Sequence, residues 1–326
     1  MTARDRFSLL WLVALLASIV AVSGVFASAR RQPSGAGASS AAPNAKWLRD
    51  ATGHAAPIEH YRCIASSSSL ADHLLFELAE PEQICALSSH GKQNDLERQR
   101  YGARREVSGP GDLEALLSAR VDLLLVNQLG ADSQLERVRA SGIVVFDLGE
   151  MRGLSTLQPN IMSVAELLGD RSRGERLWQR FARRLHAVAS EVPPEQRKRA
   201  IYLAVYAGKL FGATRGTSYH DVLSAAGLDD LAAQQYRDWP QYDPEQLLAL
   251  DPALIVTGQG MAQALCDNPW YAELRACRAG RGGLIELPSE LMGDPGLLML
   301  DAAEALHERV YGNSAPLTHD TNQRTP

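Results

Sequence analysis

Four side chains of this 326-residue chain are of the types that hold a divalent first-row metal ion: the imidazoles of His90 and His220 and the carboxylates of Glu150 and Asp294. Each falls shortly after an expected strand or in a neighbouring loop. Their spacing does not bring them together, so solvated surface groups are the plainer reading. A second set has different chemistry. Tyr206, Tyr219, Trp239 and Tyr242 offer aromatic faces, and Lys209 and Arg215 offer cations, which suits a bulky chelate bearing carboxylate or phosphate groups. Ordinary loop packing accounts equally well for any one of them alone. The run Ser66, Ser67, Ser68, Ser69 places hydroxyls at an expected helix start, where an anionic group can sit. Capping the helix from Leu70 calls for the same hydroxyls whichever ligand binds. His73 falls along that helix.

Catalytic motifs are missing. No G-x-S-x-G, H-E-x-x-H, Walker or early G-x-G-x-x-G run occurs, so no catalytic residue and no catalytic cofactor is assigned. None of the four cysteines has C-x-x-C spacing. Cys266 and Cys277 share one connection and are candidates for a disulfide, whereas Cys63 and Cys85, on adjacent expected strands, read as buried thiols.

The elements that must position these groups follow from composition and pattern. The chain is 45% hydrophobic and 22% charged, which excludes a wholly disordered or polytopic membrane protein. A net charge of −5 with no basic stripe excludes general nucleic-acid binding. Arg4 and Arg6 precede an apolar run, Phe7–Phe26, that ends at Ala27-Ser28-Ala29. That reads equally as a signal peptide cleaved after Ala29 or a retained membrane anchor. Either way, the remainder is periplasmic or otherwise extracytoplasmic, secreted or tethered by residues 7–26. Residues 30–57, rich in Ala, Gly, Ser and Pro, are expected to be a flexible tether, and 312–326 a loose tail.

Between them, apolar strands alternate with helices, as in parallel sheets covered on both faces. The expected fold class is α/β: two Rossmann-like lobes with central parallel sheets and separate cores, joined by one long backbone helix. The boundaries are 58–157, 158–193 and 194–311, with the helix stopped by Pro193-Pro194. In open α/β sheets ligands sit beyond the carboxyl ends of strands. The cleft candidates are therefore Ser67, Ser68, Ser69, His90, Asn127 and Glu150 in the first lobe. In the second they are Tyr206, Lys209, Arg215, Tyr219, His220, Trp239 and Gln259.

Several segments carry a family resemblance. RCIASSSSLADHLLFELAEPEQICALS has an apolar strand, a Ser-rich turn and a helix before a second strand. VDLLLV is followed by GIVVFDLGE, and NIMSVAELLGDRSRGERL opens the long helical stretch. GATRGTSYHDVLSAAGLDDLAA and WPQYDPEQLLALDPALIV follow in the second half. In this order, from Arg62 to Tyr311, they resemble the helical-backbone solute-binding proteins of ABC importers. The departures are Val144 where Pro is usual, Asp230 where Asn is usual and Asp243 where Ser is usual. The resemblance implies a receptor that captures an iron or cobalt chelate (ferric siderophore, cobalamin or haem) and passes it to an ABC permease and ATPase. It also implies acidic lobe tips that dock on the permease, for which Glu77, Glu80 and Glu82 are the first-lobe candidates. The rival readings are a bare metal-ion receptor using His90, Glu150, His220 and Asp294, and a chelatase-like enzyme or a sensor on the same scaffold.

Overall fold

The structure is a computed structural model that describes residues 46–89, 95–128, 131–206 and 209–312. The apolar run 7–26, His90 and residues 313–326 lie outside this range. The described chain opens with an antiparallel hairpin, β1 (Trp47–Arg49) and β2 (Ala55–Pro57), in a stretch expected to belong to the tether. Asp50 explains the difference. Its buried carboxylate accepts from the Thr52 backbone at 2.9 Å, the Thr52 hydroxyl at 2.8 Å and the His54 backbone at 2.8 Å. Those bonds close the turn.

Five parallel strands form the first-lobe sheet: β3 (Ile64–Ser66), β4 (Ile84–Ser88), β5 (Arg105–Val107), β6 (Leu123–Val126) and β7 (Val144–Asp147), in the order β5-β4-β3-β6-β7. The strand set 64–66, 84–88, 123–126 and 144–147 reads as continuous apolar runs because helices cover both faces. The helices are α1 (Ser69–Leu78), α2 (Asp95–Tyr101), α3 (Leu113–Ser118) and α4 (Asp132–Ala140). The turn of the first hairpin is pinned to this sheet, with Ala51 N donating to the Asp147 carbonyl at 2.9 Å.

The linking segment is two helices rather than one. α5 (Leu154–Leu167) and α6 (Arg171–Ser190) are separated by Gly169, at φ +81°. A left-handed glycine ends the first helix, and Asp170 starts the second by accepting from Arg173 N at 3.0 Å. α5 also begins earlier than its pattern suggests and carries Pro159 in its second turn. Pro159 lies just past the four N–H groups that have no intrahelical acceptor, so the helix forgoes one bond there, to the Ser155 carbonyl.

The second lobe contains β8 (Lys198–Tyr206), β9 (Lys209–Gly212), β10 (Leu228–Asp230), β11 (Gln241–Tyr242), β12 (Leu254–Gly258) and β13 (Leu284–Leu287). Its helices are α7 (Ser218–Ala225), α8 (Pro244–Leu250), α9 (Ala262–Cys266), α10 (Arg275–Arg278), α11 (Ser289–Met292) and α12 (Met299–Tyr311). The order is β11-β9-β8-β12-β13, with β10 beside the start of β8. β8, β10, β12 and β13 are parallel, while β9 folds back antiparallel on β8 and β11 on β9, so this sheet is mixed.

The cores differ from expectation as well. One continuous cluster runs from Ile64 and Leu74 through Ile161, Phe181 and Leu185 to Tyr202, Val222 and Leu306. Only the outer face of each sheet has a core of its own. Amphipathic α6 buries Leu177, Phe181, Leu185 and Val188 at helical spacing, and so belongs to both lobes.

All four cysteines are oxidised. Cys266 bonds to Cys277 and Cys63 to Cys85, the latter pair correcting the expectation of free thiols. Neighbouring parallel strands place the Cα atoms of Cys63 and Cys85 5.3 Å apart, a spacing that suits a disulfide.

Candidate ligand-binding cleft between the lobes

The carboxyl ends of both sheets carry the candidate residues, and loops from the two lobes meet at two places. In the first, the loop after β7 reaches α7. Gly153, at φ +111°, lies so close that a Cβ there would sit 2.8 Å from Ser218 Cα. Glycine is required twice over, for its backbone angle and for the approach. The Leu154 N–H then donates to the Asp221 carboxylate at 2.7 Å, so a carboxylate of the second lobe caps α5. Burial raises the Asp221 pKa, and this hydrogen bond partly offsets it. Beside it, Arg152 bridges Glu150 of its own lobe at 2.9 Å and Asp238 of the other at 2.7 Å.

The second meeting point joins α1 to the loop before α12. His73 Nδ1 lies 3.5 Å from Asp294 Oδ2, with both side chains almost fully buried. Asp294 also accepts from Gly296 N at 2.7 Å. His73, set aside as an ordinary helix position, is therefore an inter-lobe contact. No local pattern signals it, since its partner lies at the far end of the sequence.

In the first lobe the serine run divides its work. Ser68 caps α1 by accepting from Ala71 N at 3.2 Å, and Ser67 Oγ donates to the Leu125 carbonyl at 3.4 Å. Ser66 and Ser88 donate to the carboxylate of Asp72, which is wholly buried under the ends of β3 and β4. Burial pushes Asp72 up to about 6, against the pull of those hydrogen bonds. Ser69, the first residue of α1, is only partly buried. Asn127, just past β6, keeps its Oδ1 buried with no hydrogen-bond partner among the described residues. A buried acceptor left open costs about 1–3 kcal/mol, which marks it as a group awaiting a donor.

The second lobe contributes an aromatic stack. Tyr202 and Tyr219 lie 4.1 Å apart at their centroids, and the Trp239 ring stands edge-on to Tyr219 at 5.2 Å. Burial raises the pKa of both phenols, which are hydrogen-bonded to each other. Trp239 remains 53% exposed, a large apolar face open to solvent. Next to it in sequence is Asp238, the partner of Arg152, so aromatic surface and an inter-lobe guanidinium adjoin. Tyr206, 75% exposed, and Lys209 pair across the start of the β8–β9 hairpin. Arg215 and Gln259 are exposed on loops of the same lobe. Tyr242 departs from expectation: it is buried in the outer core against Tyr236, 5.2 Å away, and offers no face to a ligand.

The metal set does not assemble. Glu150 is held by Arg152, His220 Nδ1 by Asp230 at 2.8 Å, and Asp294 by His73. Asp230 further accepts from the Thr214 hydroxyl at 2.6 Å, a structural network that raises the His220 pKa through its hydrogen bond. Among the described residues no group of three or more His, Cys, Asp and Glu is placed to hold an ion. Glu77 and Glu80 do not form a free acidic tip either. They pair with Arg180 and Arg173 of α6, each at 2.6 Å, because the end of α1 packs along that helix. Glu82 stays exposed.

Residues 64–291 match the family described as periplasmic binding protein. The chain belongs to the periplasmic binding protein family. This periplasmic binding protein is 25% identical to the cobalamin-binding protein of Halobacterium salinarum over 78% of its own length and 69% of the relative's. It is 26% identical to the vitamin B12-binding protein of Photorhabdus laumondii over 63% of its own length and 72% of the relative's. Among solved structures it resembles the periplasmic haem-binding protein HutB of Vibrio cholerae, with a TM-score of 0.66 at 18% identity, covering 78% of this chain and all of that one. The periplasmic vitamin B12 binding protein BtuF of Vibrio cholerae aligns with a TM-score of 0.58 at 20% identity, covering 76% and 96%. These structures share its two-lobed α/β fold. No helix among the described residues is long and apolar enough to cross a membrane.

Proposed function

We propose that this chain is the extracytoplasmic receptor of an ABC importer, capturing a metal chelate of the cobalamin or haem type between its lobes for delivery to a permease and ATPase. One observation carries the choice of cargo. The Tyr202–Tyr219 pair backs Trp239, whose ring is 53% exposed beside the Arg152 bridge between the lobes. A flat macrocycle packs on aromatic faces, and a guanidinium pairs with its carboxylate or phosphate groups. The buried Oδ1 of Asn127 offers an acceptor to an amide or hydroxyl of the cargo. The names of the relatives agree with a corrinoid. A bare-ion receptor fits less well, because each described member of its ligand set already has another partner. The role is capture rather than turnover. The segment ahead of residue 46 would serve to export the receptor or tether it.

Native mass spectra of the full chain with cyanocobalamin, haem, a ferric siderophore and divalent ions test this. One chelate retained per chain, and lost on unfolding, is the expected result. An ion retained with no chelate would replace this reading with the bare-metal one, and no retained mass across the panel would remove the receptor reading.

A further inference from the structure

A cavity of about 390 Å³ is lined by none of the aromatic or cationic cargo candidates and shares only His73 with the inter-lobe contacts. Its walls come from α1 and α2 of the first lobe, the linking helix α6, and the start of α12 in the second. That volume falls in the range of small-molecule sites, roughly 300–1,000 Å³.

The lining is divided by chemistry. Phe76 and Tyr101 stack at 4.4 Å, and with Phe181 and Leu297 they make an apolar floor. Two polar features on that floor lack partners. The Tyr101 side chain is 2% exposed, yet its hydroxyl is buried with no hydrogen-bond partner among the described residues. Arg100 has no ion pair or hydrogen bond among the described residues, and its guanidinium sits 5.3 Å from the Tyr101 ring. An open buried donor beside an unpaired cation is a site for an anion, and the floor below it is a site for hydrocarbon. Of the other lining guanidiniums, Arg180 is paired with Glu77 at 2.6 Å and Arg184 with Glu304 at 2.7 Å, so Arg100 is the lining guanidinium left without a carboxylate among the described residues.

We infer that this cavity binds a single-chain anionic amphiphile of the fatty-carboxylate class, its head group on Arg100 and the Tyr101 hydroxyl and its alkyl chain along Phe76, Phe181 and Leu297. A small anion would leave the floor bare, and a neutral lipid would leave Arg100 unpaired. Because both lobes and α6 build the walls, such an occupant braces one lobe against the other. The site is independent of which cargo the cleft takes.

Calorimetric titration of the full chain with sodium dodecanoate, below its micelle threshold, tests the assignment against dodecanol of the same length. The expected result is one saturable equivalent of dodecanoate, with dodecanol weaker. Arg100→Gln, an exposed position that folding does not depend on, weakens dodecanoate roughly tenfold and leaves dodecanol unchanged. Leu297→Trp, which fills the floor, abolishes both. Equal binding of the two amphiphiles overturns the anionic assignment. No saturable binding, or binding that survives both substitutions as adsorption elsewhere on the chain would, overturns the site.

Discussion

The carboxylate of Asp221, on the first turn of α7, accepts the backbone N–H of Leu154 at the first turn of α5, 2.7 Å away in the other lobe. A helix start normally takes its cap from its own chain neighbourhood. Here the preceding residue is Gly153, which has no side chain to offer, so the neighbouring lobe supplies the cap.

Asp221→Ala should therefore lower the stability of the whole molecule by about 1–2 kcal/mol, the usual worth of a cap to a partly buried helix end. Asp221→Asn, which keeps an acceptor, should lose less. Urea unfolding followed by far-UV circular dichroism checks this. Equal losses for both variants would mean that packing against Gly153, rather than the cap, is what Asp221 provides.

Asp72 gives a pH-dependent contribution. Its carboxyl is pushed by burial from 3.8 to about 6 in the folded chain, so folding binds a proton more tightly than the unfolded chain does. The stability it lends is complete below about 3.8 and is lost as the pH rises through about 6. Asp72→Asn should thus gain on the parent protein by about 2–3 kcal/mol as pH goes from 4 to 7. Paired urea titrations across that range read the difference. A constant gap between the two proteins would show that Asp72 does not titrate there.

The Cys63–Cys85 bond closes a segment of 22 residues. Loop closure of that length is worth about 3 kcal/mol through the unfolded chain. The double variant Cys63→Ser, Cys85→Ser should fall by that order in urea midpoint analysis, and reductant should lower the parent protein further by also opening Cys266–Cys277. Insensitivity of the parent to reductant would indicate that neither bond constrains its unfolded state.

Trp239 is exposed enough that its loss should spare the fold. Trp239→Ala is expected to leave the thermal midpoint within about 1–2 °C, since exposed positions carry little stability. Cyanocobalamin or haem should bind it roughly tenfold more weakly, in keeping with one aromatic contact. Unchanged affinity for both chelates would remove Trp239 from the cargo surface.

The sequence was most legible where a physical rule acts over a few residues. The serine run was expected to cap a helix start, and Ser68 caps α1. Asp112 caps α3, and the stripe Leu177, Phe181, Leu185, Val188 faces the core. Local rules also exist for what was misjudged. Gly169 broke the linking helix because its left-handed angle ends α5, a signal that the long apolar period concealed. Asp50 and Thr52 built a turn within a stretch whose composition looked loose. The inter-lobe contacts were different in kind. Arg152, His73 and Asp221 became site elements through partners in Asp238, Asp294 and Leu154, and spacing along one chain holds no record of such meetings. Cys63 and Cys85 lay between these cases, since adjacent strands were expected but not their alignment.

The unbroken apolar cluster from Ile64 to Leu306 bears on how the cargo leaves. If the lobes parted widely, Phe181 and Leu185 would meet water, and each buried side chain of that size costs about 1.5–3 kcal/mol to expose. Thermal fluctuation therefore samples wide opening rarely, and a captured molecule is retained by the expense of uncovering hydrocarbon as well as by its own contacts. Unloading then requires external work on the two lobes.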